Sequence, residues 1–246
     1  MSTTTLPEFC FDVMSRGLNL ERVAGFEDVE QVKLLNGEEG GGIKIYTGEG
    51  GVKVTLVDFK LGEGVPVPHH DNRLCVGAEL FLVSHDLSRK VPTWGINNII
   101  MKDGMYYFDC DFSFGFDLVM EYDYMQKYIA PFNDTYQKFA KHPDFTPVTF
   151  YESTPWVRTY ISPLFLSAIT TTDKAETVFE FAEACIQQWL AMFRGEGKVD
   201  AAFQQSQQKR LQARNAGSKD SDRMGKVLFG AYGKETFAKF FKAMTG

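Results

Sequence analysis

The sequence predicts an α+β fold in a single domain, residues 1–246, with a central antiparallel sheet covered on both faces by helices. Three observations carry this. Strand-like alternation fills the first half, broken by short glycine-rich links. Helical periodicity fills the second half. Neither a repeat nor a low-complexity linker separates the two. Strands joined by short links must pair antiparallel, because a parallel pair needs a crossover of roughly a dozen residues or more.

The elements follow in order. Glycines at 40–42, 48 and 50–51 punctuate IKIY (43–46) and VKVTLVDF (52–59). Further strands are expected at AELFLV (78–83), INNIIM (96–101) and MYYFDCDF (105–112). Lys102-Asp103-Gly104 between the last two is a tight hairpin signal. A helix is expected over 121–141, ending before His142-Pro143, since a residue preceding proline avoids the helical region. Asp173 is the expected cap of a helix reaching about Arg194, with Val178, Phe181, Ala182, Cys185, Trp189 and Met192 at helical spacing. A third helix is expected over 199–214. A fourth follows Gly233, with Phe237, Phe240 and Phe241 on one stripe.

Hydrophobic residues make up 44% of the chain, enough for a sizeable core. Phe alone supplies 22 residues, which suits a thick core or a pocket for a flat, apolar ligand. Cys10, Cys75, Cys110 and Cys185 lack CxxC spacing and read as free buried thiols. The start, MSTTTLPEFCFD, has neither the basic nor the apolar region of a secretory signal, and no apolar run approaches a membrane span. A cytoplasmic protein is expected, or a stromal one if the source has plastids. The net charge is −6, yet residues 194–246 hold 11 Lys and Arg against 5 Asp and Glu. That basic section can steer an acidic partner or be no more than solvated helix faces.

Several function classes fall away. The glycine-rich stretch 37–51 contains no GxxxxGK[ST], and no GxGxxG joins a strand to a helix, so hairpin turns explain it. His69, His70 and Asp71, with His85 downstream, lack the spacing of a metal site. The acidic balance, with a basic section that is not interleaved with aromatics on a strand, argues against nucleic acid.

Three stretches, taken in order, resemble the ferredoxin-dependent bilin reductase superfamily, which includes red chlorophyll catabolite reductase. VPTWGINNIIMKDGMYYFDCDF (91–112) is similar to the family's two central strands, entered through a Pro-x-aromatic-Gly turn. DLVMEYDYMQKYIAPF (117–132) and TPWVRTYISPLFLSA (154–168) resemble the chlorophyll catabolite branch in particular. SKDSDRMGKVLFGAYGKETFAKFF (218–241) is similar to the C-terminal Lys-Asp-Pro-Ala-Arg segment and its last helix, with Ser221 in place of the proline. The resemblance spans about residues 40 to 245.

It implies an α/β/α sandwich with a linear tetrapyrrole held between the sheet and the C-terminal helices. The implied activity is an oxidoreductase acting on CH–CH bonds, reducing a bilin or a red chlorophyll catabolite through a radical. Electrons would come singly from reduced ferredoxin, an acidic [2Fe-2S] protein, with no cofactor bound in the chain. The alternative is a non-catalytic tetrapyrrole carrier. Asp220 matches the family's C-terminal proton-donating carboxylate. Asn97 stands where many members have an aspartate, as in the phytochromobilin-forming branch, and shifts acid chemistry to Asp220. Glu79, or Glu63 in another register, is the second pocket carboxylate. Trp94 and Ser162 are expected at the pigment, and Arg158, Lys219 and Arg223 at its carboxylates. On local sequence alone, Asp220 also fits a helix N-cap, and Trp94, Trp156 and Trp189 fit the core.

Overall fold

Side-chain alternation along the middle strands decides the layout. In β7 (Met105–Ser113), Tyr106, Phe108, Cys110 and Phe112 face one way, and Tyr107, Asp109 and Asp111 the other. The computed structural model describes residues 4–67, 73–148, 158–159, 161–221 and 224–245, with only the backbone described at 217–221, 224, 226 and 245.

Nine strands form one antiparallel sheet among the described residues. They are β1 (Leu20–Arg22), β2 (Val32–Lys33), β3 (Glu39–Gly48), β4 (Val52–Pro66), β5 (Leu74–Ser84), β6 (Thr93–Met101), β7, β8 (Thr146–Pro147) and β9 (Leu166–Thr171). The order is β1-β3-β4-β5-β6-β7-β9-β8, with β2 also on β3. The turn from β6 to β7 is the expected hairpin: Gly104 takes φ 84°, and Met105 N–H donates to Asp103 Oδ1 at 3.2 Å.

The first sheet face packs Val54, Phe81, Trp94, Ile96, Phe108 and Phe112 against helices α1 (Leu6–Ser15), α3 (Ala130–Ala140) and α4 (Ala175–Gly195). The six α4 residues expected on one stripe are all fully buried there, and Trp189 Nε1 donates to Pro92 O at 2.8 Å. Burying each large side chain contributes about 2–3 kcal/mol, so this layer fixes the fold. On the second face, Ile43, Ile45, Val57, Phe59, Ile99 and Met101 lie in a core with α6 (Met224–Thr245), anchored by Tyr232. The Tyr232 hydroxyl donates to Gly40 O and Lys60 O. The result is the expected α+β sandwich, helices on both sides of the sheet.

The helical half departs from expectation in four places. Residues 122–140 form one run, α2 (Tyr122–Tyr124) and α3 joined by a π turn at Met125–Ile129, because Pro131 has no N–H for the carbonyl four residues back. Asp173 does not cap α4; it sits in a 3₁₀ turn (Thr172–Lys174) leading into it. Helix α5 (Ala201–Ser221) outruns the expected 199–214, and α6 begins before Gly233, which interrupts it at φ 77°. After that break Phe240 is buried but Phe241 is 41% exposed, so the phenylalanines do not share one face. No described helix is long and apolar enough to cross a membrane.

Candidate functional site

Among the described residues, the second sheet face is buried at one end and exposed around Asn97. Ile99 and Met101 are buried, yet two residues back Asn97 is exposed, although β6 is a central strand. Leu80, directly across on β5, and Leu82 are half-buried beside it. An apolar shelf beside a polar row on a central strand suits a flat ligand with polar edges.

The polar row continues across β7. Asn97 pairs in register with Asp109, Asp109 pairs with Ser167 of β9, and Gly95 pairs with Asp111. The Tyr107 hydroxyl lies 3.3 Å from Asp109 Oδ1 and 3.0 Å from Ser167 Oγ. Asp111 accepts from the Ser162 backbone N–H, at 3.2 Å to Oδ1 and 3.4 Å to Oδ2. Both carboxyls are pushed up to about 6, and in both the main cause is burial, which penalises the charged form. At Asp109 the Ser167 and Tyr107 hydroxyls oppose the rise and the charge of Asp111 adds to it. At Asp111 the Ser162 bonds and the charge of Arg214 oppose it. Two half-buried carboxyls pushed up to about 6, beside the exposed Asn97, can donate protons to a ligand laid across them.

No protein-family model and no curated protein sequence matches this chain. A solved structure does: phytochromobilin synthase from tomato, determined as its selenomethionine form in complex with biliverdin. The TM-score is 0.73 at 13% identity, over 93% of this chain and 77% of that one. The two share a fold.

Sequence-expected residues divide between the two faces. Ser162 reaches the site through its bond to Asp111, and Asn97 stands in the row itself. Glu79 does not join them. It faces α1, 7% exposed, where its Oε2 accepts from Leu6 N–H at 3.2 Å and from Asn98 Nδ2 at 2.9 Å. Asn98 also meets the Tyr106 hydroxyl. Burial pushes the Glu79 carboxyl up, against those two bonds. Trp94 is likewise on the first face, fully buried between Phe81 and Phe112. Glu79 is one position from Leu80 and Trp94 three from Asn97, so alternation places both on the opposite face.

Glu63 is a surface carboxylate, 91% exposed and paired with Lys102 Nζ at 2.7 Å. Arg158 is exposed. Asp220 and Lys219 stand on the last turn of α5, but their side chains lie outside the described residues, as does all of Arg223 and Trp156. His69, His70 and Asp71 also lie outside them, and no group of three metal-ligating side chains occurs among the described residues. His85 is buried and fully used: Nδ1 accepts from Leu87 N–H at 3.0 Å and Nε2 meets Val91 O at 2.8 Å. All four cysteines are free and buried.

Asp109 and Asp111 belong to no motif that marks them in the sequence. Their signal is plain in hindsight of the register: two aspartates two apart in the aromatic strand MYYFDCDF share one face.

Proposed function

We propose that this chain reduces a double bond of a linear tetrapyrrole lying across Asn97, Asp109 and Asp111, with electrons from reduced ferredoxin. One observation carries the reading: a polar row that runs from the exposed Asn97 to two half-buried carboxyls pushed up to about 6, on the sheet face that packs against α6 at its other end. The shared fold with a biliverdin-bound protein supports it.

The chemistry needs two electrons and two protons. Ferredoxin delivers electrons singly, so the pigment passes through a radical, and the protein's task is to hold it and supply protons. Asp109, held by Tyr107 and Ser167, donates one proton from its neutral form. The second comes from Asp111 or from Asp220 at the end of α5. Asn97 does not titrate; its amide holds a lactam carbonyl or a pyrrole N–H in register. The half-buried Leu80 and Leu82 support the flat ring system.

Absorbance titration with biliverdin, dihydrobiliverdin or red chlorophyll catabolite, then addition of reduced ferredoxin without oxygen, tests the proposal. A bound spectrum converting to a product of shorter conjugation supports it and names the substrate. Binding without conversion makes the chain a carrier, and no spectral shift with any pigment refutes the proposal.

A further inference from the structure

We infer that the cleft beside Asp111 is a carboxylate-binding subsite in which the guanidiniums of Arg214 and Arg210 take the anionic side chains of the ligand. This rests on the tetrapyrrole reading above.

Helix α5 is mostly polar and lacks an apolar stripe, so apolar burial alone does not explain where it lies. Its first half is pinned by specific bonds. Gln207 is 1% exposed, and its Nε2 donates to Leu87 O at 3.1 Å and Arg89 O at 3.2 Å. Gln204 Nε2 donates to Asp86 O at 2.8 Å, and Phe203 packs on Phe116. Gly115 permits the approach, since a Cβ there would sit 3.1 Å from that of Gln207. Residues three and seven positions after Gln207 share its helix face. Those residues are Arg210 and Arg214.

Both line a cleft of about 460 Å³ with Phe114, Phe116, Leu118, Ile161 and Pro163 among its other walls. Ser162 lines it too, so the cleft opens beside the Asp111 carboxyl that Ser162 N–H holds. Arg214 is half-buried, and its Nη2 donates to Asn215 Oδ1 at 3.3 Å. Among the described residues no carboxylate comes within 4 Å of it; Asp111 acts on it at longer range. Burial weakens its hold on a proton, yet a guanidinium stays charged. A half-buried cation with no contacting anion is costly, and a ligand carboxylate removes that cost. Arg210 meets Asp117 only at 4.0 Å, with both about half exposed, which is a weak pair. Two planar cationic forks over an apolar floor suit carboxylates carried on a flat apolar skeleton.

Biliverdin and its dimethyl ester separate charge from shape. Absorbance titration of the wild-type chain should show about tenfold tighter binding of the free acid, as expected for one charge-assisted contact. Arg214→Gln should lose most of that preference and bind the ester unchanged. Arg210→Gln, at a more exposed position, should lose a smaller part, and thermal melts should show both variants folded. If both variants keep the wild-type preference while still binding pigment, the subsite is wrong and the functional reading stands. If the wild-type chain binds neither acid nor ester, both fall.

Discussion

Asn97 on β6 stands directly opposite Asp109 on β7, so an amide that cannot ionise and a carboxyl that titrates near 6 face the same open slot. The pairing separates two tasks that one aspartate would otherwise share. In the proposed reaction the amide positions the ligand and the carboxyl gives it a proton.

The protonation state of Asp109 sets a pH dependence for the reaction. The neutral form is the donor, so kcat/KM, which reports the free enzyme, should fall as pH rises through about 6. Tyr107→Phe removes a bond that favours the carboxylate, and should move that limb upward by about one pH unit. A profile unchanged in this variant would show that Asp109 is not the titrating donor.

The same group should cost stability at neutral pH. Its pKa is higher folded than unfolded, so the folded state binds more protons between about 4 and 6. Stability from this carboxyl is therefore complete below about 4 and is lost as pH rises through about 6. Asp109→Asn should raise the unfolding free energy at pH 8 by on the order of 1–2 kcal/mol, a figure discounted for partial exposure, and change little at pH 4. Urea unfolding at the two pH values reads this directly.

Glu79 and its partners should behave as structure. Its carboxylate receives the first N–H of α1 and the Asn98 amide, with Thr5 and Glu8 forming a reciprocal capping box at the same helix end. Glu79→Ala should cost about 2–3 kcal/mol in unfolding free energy, since it leaves both donors buried without a partner. The reduction rate per folded molecule should stay as in the wild type. A rate loss in folded Glu79→Ala protein would return Glu79 to the catalytic machinery.

The sheet was legible because its signals are local: five alternating segments and an Asp-Gly hairpin all appear where expected. Helix α1 was legible too, in Thr5-x-x-Glu8 with Pro7 behind the cap, but went unread. Strand β9 was not, because LSAITT follows a proline-containing turn and gains its pairing from β7 and β8, both distant in sequence. At the candidate site, Asn97 and Ser162 lie beside Asp109 and Asp111, whereas Glu79 and Trp94 lie on the opposite face of the sheet. Sequence gives the period of a strand but not its phase relative to the ligand. Only the covering helices set that phase, and the open end of the Asn97 row shows it.

The most direct test is a single turnover. Biliverdin is bound to the wild-type chain and to Asp109→Asn, and reduced ferredoxin is added to each without oxygen. Both should show the bound-pigment spectrum, and the variant should form product at least 100-fold more slowly, as loss of a positioned acid requires. Product formation at the wild-type rate in Asp109→Asn would contradict the account.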